Sequence, residues 1–411
     1  MGSLRERNRL LVVDALRRRG LASRSDLARL TGLSRTTVGS LVAGLHAQGL
    51  VSEQEVNGER HSARGRPPVL LRLDPTAGVA VGIYFDHDEV RVALADLSST
   101  VLGEDRREID VDHSATDSID LAVRMLRVLQ RNVGVDSSQI VGAGVGLPGP
   151  IDRRTGKIGS AIILPGWAGL QAQRQLAQRL KLHVEVDNDA NLGALAEASF
   201  GAGRGLKNIV YVMLGPGIGA GLVLDGRVHR GAAGLAGEIG HVQVRPDGAV
   251  CRCGNRGCLE TIAGEGALAA LLRPRLGRDV SVRDLRDLVA AGDLGATRVV
   301  NDAGRAIGRV LADLCNALNP EAIIVGGELS QVGEPLLGGI RESVDRHTLP
   351  AAAQGVRVLR GELGDRAEVV GALALVIANT EGVSSGALPA FARAAAQRSV
   401  TRGEEVRAGS T

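Results

Sequence analysis

The chain has 411 residues, of which 44% are apolar and 1% aromatic. That is enough for two or three domains of roughly 100–200 residues each, with cores filled by Leu, Val, Ala and Ile. A net charge of +3 is mild, no run approaches the ~18 apolar residues of a membrane helix, and the charged segment Met1–Arg9 is unlike a secretion signal, so a cytoplasmic protein is expected with no membrane contact.

The charge is unevenly placed. Residues 1–68 hold 12 Arg against 6 Asp and Glu, whereas the remainder is slightly acidic. A basic segment on an acidic body fits a nucleic-acid-binding module attached to something else, although a solvated charged face has the same composition. Residues 5–19 read as a helix with Leu10, Val13 and Leu16 on one side, ended by Gly20. Ser23 can cap a second helix, with Asp26 completing a capping box. After the turn Thr31-Gly32-Leu33, Ser34 caps a third helix whose inner face is Val38, Leu41, Val42 and Leu45. Helix, glycine-containing turn, helix is the helix-turn-helix arrangement, whose last helix enters the major groove by its N-terminal residues. Those are Ser34, Arg35, Thr36 and Thr37: hydroxyls for phosphates and one Arg for a guanine edge. A strand starting at Gly49-Leu50-Val51, a polar hairpin over 53–65 and a returning strand Val69–Leu73 make a wing. At its tip, Arg64 and Arg66 lie in Arg-Gly-Arg-Pro-Pro, which suits insertion into a narrow minor groove. Residues 1–73 are therefore expected to form a winged helix-turn-helix that binds double-stranded operator DNA.

From residue 78 the pattern changes to strands alternating with helices, which argues for an α/β fold. Val79–Phe85 and Val90–Leu97 read as a hairpin, followed by a helix over 116–132 and a strand ending in Val141–Gly146. Val184–Val186, Ile209–Leu214 and Ile323–Val325 read as further strands, with a helix over 189–199. Val186-Asp187-Asn188-Asp189-Ala190-Asn191 ends a strand and opens a helix, where polar groups point into a cleft or serve as a helix cap. Gly237-Glu238-Ile239-Gly240-His241 is a second polar cluster. Cys251, Cys253 and Cys258 lie within eight positions among glycines that permit a sharp loop. Such spacing favours tetrahedral zinc with a nearby His or Cys as fourth ligand, over a reduced surface cluster. Cys315 sits in an apolar helix, Ile307–Leu318, and reads as core.

Together these clusters resemble the ROK family of repressors, open reading frames and kinases, over roughly residues 78–380. The resemblance implies an actin-like, ribonuclease-H-like pair of lobes over 78–383, with a sugar in the cleft between them. It implies sugar contacts at Asn188, Asp189, Glu238, His241 and Glu260. It makes His241 the fourth ligand, beside Cys251, Cys253 and Cys258, of one structural Zn2+ per chain. In the family's kinases the residue matching Asp189 is the general base on the sugar hydroxyl. Asp187 replaces the family's Glu.

The phosphate machinery departs from the family. The kinases carry Asp-x-Gly-Gly-Thr on the first turn; here Tyr84, Asp86, His87 and Asp88 stand at those positions. Backbone amides can no longer approach a phosphate there, and two acids repel it. In the second loop, Gly215–Gly221, Pro216 stands where the family usually has Thr, removing a hydroxyl and an N–H. Gly326-Gly327 resembles the adenosine-side motif. The leading expectation is thus a sugar-responsive repressor without kinase activity, working as a homodimer or dimer of dimers. The alternatives are an ATP-dependent sugar kinase with an added DNA-binding module, and a DNA-binding protein whose body is only a dimerisation scaffold. Loop Leu164–Trp167 is expected to shape sugar selectivity. Residues 384–411 read as a tail, partly disordered beyond a short helix, without assigned function.

Overall fold

A computed structural model describes residues 4–47, 49–54, 69–152, 157–158 and 163–380. Arg64, Arg66, most of the 53–65 hairpin and the 384–411 tail lie outside the described residues. The N-terminal module runs α1 (Leu4–Arg19), β1 (Ala22–Ser23), α2 (Arg24–Thr31), α3 (Arg35–Ala47), β2 (Val51–Gln54) and β3 (Leu70–Leu73). Ser23 caps α2: its Oγ accepts the Asp26 N–H at 3.1 Å while Asp26 accepts the Ser23 N–H at 3.2 Å. Gly32, at φ 70°, then turns the chain into α3. One small core joins Val12, Val13 and Leu16 of α1 to Leu27, Val38, Val42 and Leu45, and to Val51, Leu71 and Leu73 of the sheet. That antiparallel sheet has the order β1-β3-β2.

The first lobe follows with β4 (Val79–Phe85), β5 (Glu89–Asp96), β6 (Val101–Glu108), α4 (Ala115–Val133), β7 (Ile140–Leu147), β8 (Ile151–Asp152), β9 (Lys157–Ile158), α5 (Ala172–Leu180) and β10 (Val184–Asn188). Its main sheet has the order β10-β7-β4-β5-β6. The hairpin read from the sequence pairs antiparallel from Val79↔Asp96 to Phe85↔Val90, while β4 and β7 run parallel. Strand β6 gave no strand signal, because Glu104–Glu108 are all charged; as a largely exposed edge, it uses those charges against edge-to-edge pairing.

The second lobe runs α6 (Asp189–Phe200), β11 (Ile209–Leu214), β12 (Ile218–Leu224), β13 (Arg227–His229), α7 (Glu260–Ala263), α8 (Glu265–Leu276), α9 (Val282–Ala290), α10 (Leu294–Leu318), β14 (Ala322–Gly326), α11 (Glu334–His347), α12 (Pro350–Ala353) and β15 (Arg357–Arg360). Its sheet has the order β13-β12-β11-β14-β15. The last helix, α13 (Ala367–Thr380), returns to the first lobe and lies on β4 and β7.

Two helices join the lobes. α6 packs on β11 and β12, α13 packs on the first sheet, and the two helices pack on each other. Small residues make this possible. A Cβ on Gly144 of β7 would stand 2.0 Å from the Ala372 carbonyl, and one on Gly371 would stand 2.1 Å from that of Leu192. Backbone therefore meets backbone at the crossing, which fixes where Asp189 and Glu368 sit above the cleft floor. Among the described residues no helix is long and apolar enough to cross a membrane.

Candidate functional site

The lobes enclose a cleft of about 530 Å3, lined by residues of both. Its metal side is built on the loop after β13. Ligand atoms of His241, Cys251, Cys253 and Cys258 all lie within 4.8 Å of one another. Cys253 Sγ is 3.7 Å from Cys258 Sγ, and Cys251 Sγ is 3.6 Å from His241 Nδ1. A tetrahedral ion with bonds of ~2.0–2.3 Å has ligand–ligand edges of about 3.5–3.8 Å, so this donor set fits a metal ion. Gly257 makes the loop possible: it sits at φ 65°, and a Cβ there would stand 1.5 Å from the Arg245 carbonyl. Burial and the neighbouring thiols push Cys258 up to about 12, and burial raises Cys251. A divalent ion is what would hold these sulfurs as thiolates.

The expected sugar residues gather beside that cluster. Asn188, Asp189, Glu238, His241 and Glu260 all line the cleft. Asn188 caps α6, with Oδ1 accepting the Asn191 N–H at 3.3 Å and Nδ2 donating to the Gly149 carbonyl at 3.0 Å. His241 turns Nδ1 to the cysteines while its Nε2 lies 4.0 Å from Glu238 Oε2. Burial first, then Glu260, raises the Glu238 carboxyl, with His241 and Arg252 opposing. Asp189 is 4% exposed, and its Oδ1 accepts the Ala190 N–H at 2.7 Å. Burial, reinforced by Glu368, Asp86 and Glu238, holds its carboxyl well above the usual carboxylate range.

Several participants carried no sequence signal. Arg252, inside the cysteine loop, places Nε 2.8 Å from Glu260 Oε1 and donates from Nη2 to Oε2 at 2.9 Å. Arg230 donates to Asp187 Oδ2 at 2.7 Å from Nε, with Nη2 2.5 Å away, joining the edge strand of one lobe to the loop that follows β13 of the other. Asp187, the departure from the family's Glu, also accepts from Asn191 Nδ2 at 3.0 Å. Glu368 of α13 is 5% exposed and accepts from Tyr211 Oη at 3.2 Å; burial, then Asp86, pushes its carboxyl up to about 7.

The far half of the cleft is acidic. Asp86, Asp88, Glu265 and Glu328 line it from the β4–β5 turn, α8 and the turn after β14. Burial raises Asp86, Glu265 and Glu328, Asp88 raises all three further, and Asp86 also acts on Glu265 and Glu328. Loop Leu164–Trp167 does not shape the cleft as expected. Trp167 is fully buried, edge-on to Phe85 with ring centroids 5.1 Å apart, and donates to the Val111 carbonyl; among the described residues of this stretch, Ile163 lines the cleft and Leu164–Trp167 do not. Cys315 is core in α10.

In the N-terminal module, Ser34, Arg35 and Thr36 are exposed at the start of α3 and Thr37 is half-buried. Ser34 Oγ accepts the Thr37 N–H at 3.1 Å and lies 2.8 Å from Thr37 Oγ1, so these two hydroxyls form the helix cap. Arg35 and Thr36 remain open to solvent.

The family model described as "ROK family" matches residues 78–379. A xylose repressor of Caldicellulosiruptor bescii is 30% identical over 391 residues, 92% of this chain and 96% of its own. Such a match cannot fit within 78–411 alone, so it takes in the N-terminal module. A glucokinase of Halalkalibacterium halodurans is 38% identical over 249 residues, 57% of this chain and 75% of the enzyme. The crystal structure of a ROK family transcriptional regulator, a homolog of the E. coli MLC protein, matches with a TM-score of 0.77 at 27% identity, over 92% of this chain and 98% of that one.

Proposed function

The chain belongs to the ROK family, and from that premise we propose that it is a sequence-specific transcription repressor of carbohydrate-metabolism genes, governed by a sugar or sugar derivative in its kinase-derived cleft. The observation that carries this reading is one chain holding both a helix-turn-helix with open Arg35 and Thr36 and a cleft whose sugar side is complete while its phosphate side is acidic. Similarity to a repressor along nearly the whole length supports it. Sugar hydroxyls are bound by Asn188, Asp189, Glu238, His241 and Glu260, where carboxylates and an amide supply both acceptors and donors. Zn2+ is held by His241, Cys251, Cys253 and Cys258; bound there, it fixes the ring of His241, whose other nitrogen faces Glu238. DNA is contacted by Ser34, Arg35, Thr36 and Thr37, with Arg64 and Arg66 in the minor groove. A homodimer, or dimer of dimers, presents two recognition helices to a near-palindromic operator.

Sugar binding across both lobes changes their closure and, through it, the spacing of the two DNA-binding modules, a coupling of ~1–3 kcal/mol in such systems. The test is fluorescence anisotropy on labelled DNA from upstream of the protein's own gene, with and without monosaccharides. Selective binding that one sugar shifts, and that loses its response in Glu238→Ala, supports the reading. An unchanged response in that variant overturns the site. The glucokinase similarity and the retained Asp189 favour a second reading, a sugar kinase. Sugar-dependent ADP formation in a coupled assay supports that alternative; we propose that there is none, because Asp86 and Asp88 stand in the first phosphate turn and Pro216 removes an N–H from the second.

A further inference from the structure

We infer that the acidic half of the cleft is an anion filter, so that the effector is an unphosphorylated sugar and phosphorylated sugars are rejected. The inference rests on the sugar-binding reading above and narrows its ligand class.

Three observations carry it. First, among the described residues, the arginines and His87 that line the cleft are already matched. Arg91 pairs with Glu89 and lies 3.0 Å from Asp365; Arg106 lies 3.6 Å and 3.9 Å from the same two carboxylates. Arg252 is held by Glu260, and His87 Nδ1 lies 2.8 Å from Asp112 Oδ1. Against these, eight further carboxylates line the cleft with no arginine or lysine paired to any of them among the described residues: Asp86, Asp88, Glu108, Asp189, Glu265, Glu328, Glu368, and Glu238, which has only the His241 ring beside it. From α9, Arg286 acts on Glu328 at a distance, but it donates to Gln331 and lies 3.5 Å from Asp287.

Second, three of the backbone donors in the turns that face the cleft are engaged within the protein. The His87 N–H donates to Asp86 Oδ1 at 2.8 Å, the Ile218 N–H points to Glu260 Oε2 at 3.4 Å, and the Asp86 N–H donates to the Glu89 carbonyl at 2.9 Å. Turns rich in free N–H groups bind phosphate; these turns instead begin with, or bond to, a carboxylate.

Third, position decides which sugar atom meets the filter. Asp189 touches the sugar side, and the carboxylates acting on it are Glu368, Asp86 and Glu238. A phosphate on the hydroxyl beside Asp189 would enter among Asp189, Glu368 and Asp86. A dianion in that cleft, with no unpaired arginine or lysine lining it among the described residues, is repelled by every one of these carboxyls that is ionised and gains no countercharge from those that burial keeps protonated. A neutral hydroxyl at the same place finds acceptors.

Calorimetry on the full-length, metal-loaded protein tests this with glucose, xylose and N-acetylglucosamine, each beside its phosphate (glucose 6-phosphate, xylose 5-phosphate, N-acetylglucosamine 6-phosphate), with and without Mg2+. At least one neutral sugar is expected to bind, and its phosphate at least about tenfold more weakly under both conditions. The double variant D86N/E328Q is expected to narrow that gap by improving binding of the phosphate more than of the neutral sugar. Equal or tighter binding of a phosphorylated sugar, with or without Mg2+, overturns the filter while leaving a sugar-binding cleft in place. A gap unchanged in D86N/E328Q, with the variant's melting temperature preserved, also overturns it. Absence of binding by every sugar and phosphate overturns the sugar-binding reading itself, and the filter with it.

Discussion

On the metal side of the cleft, Glu260 has Arg252 at 2.8 Å and Glu238 has the His241 ring at 4.0 Å. On the far side, burial, with Asp88 adding to it, raises the carboxyls of Asp86, Glu265 and Glu328 alike, and no arginine pairs with any of the three among the described residues. Both sides stand on the same pair of sheets. The difference teaches that one scaffold can carry charge-paired side chains on one half of a cleft and acids without an arginine partner on the other. Binding chemistry lives in the residues mounted on the scaffold, not in the scaffold.

The comparison is broken most severely by disrupting the His and Cys cluster that could hold a metal ion. Cys258 is fully buried, and with Cys251, Cys253 and His241 it closes the loop that ends in Glu260. Cys258→Ser is expected to lower metal content from about one equivalent to near zero, to reduce the melting temperature by several degrees or more, and to abolish the sugar response. Cys315→Ser, in the α10 core, is expected to keep the metal. Metal analysis of both variants decides it; a full metal equivalent in Cys258→Ser would sink the ligand assignment.

The next largest effect belongs to the acidic side. Glu368 titrates at about 7 in the fold against an ordinary 4.5. Its folded pKa is raised, so the folded state binds the proton more tightly than the unfolded chain does. Its stabilising contribution is complete below pH ~4.5 and is lost as pH rises through ~7. The loss is on the order of 3–4 kcal/mol, since the two values differ by about 2.5 and one pKa unit is about 1.4 kcal/mol. Glu368→Gln keeps the shape and removes the titration. Urea unfolding at pH 5 and pH 8 is expected to show a smaller fall in stability for the variant than for the parent. An equal fall would mean that Glu368 does not carry the effect.

Contiguity explains what the sequence revealed. Asn188 and Asp189, Glu238 and His241, and the three cysteines each lie in a short run whose local spacing states its chemistry. The participants that left no trace are set by tertiary contact. Glu368 sits in the apolar stretch Ala367–Thr380, and only the return of α13 across β4 and β7 brings it to the cleft. Arg252 reads as a spacer between two cysteines until the loop folds it onto Glu260. Loop Leu164–Trp167 departs in the opposite direction: it is expected to shape selectivity, but its Trp167 packs on Phe85 and donates to the Val111 carbonyl instead of lining the cleft. Strand β6 was hidden because an edge strand facing solvent needs no apolar alternation.

A smaller effect is expected where the two lobes are tied. Arg230 and Asp187 are 19% and 9% exposed at their side chains and join the edge strand beside Asn188 to the loop that carries Glu238. Arg230→Ala leaves Asp187 Oδ2 largely buried without its cation, at a cost of ~1–3 kcal/mol. Sugar affinity is expected to fall as well, because residues of both lobes must meet one ligand. Arg230→Lys is expected to recover only part, since an ammonium cannot reproduce the two-nitrogen approach of the guanidinium to Oδ2. Full stability and affinity in Arg230→Ala would show that the tie is idle.

The smallest effect separates matched charge from unmatched charge inside the acidic half. Arg91 and Arg106 approach the same carboxylates, Glu89 and Asp365, but Arg91 is 8% exposed at its side chain and Arg106 58%. Water already screens the outer pair, so Arg106→Ala is expected to change stability by less than ~0.5 kcal/mol. Arg91→Ala strips the inner cation from a mostly buried Glu89 and is expected to cost more than Arg106→Ala, by ~1 kcal/mol or above. Chemical denaturation of the two variants side by side measures the contrast. If they lose the same stability, burial does not set the worth of these charges, and the argument that unmatched carboxylates in the cleft repel a phosphate loses its physical basis.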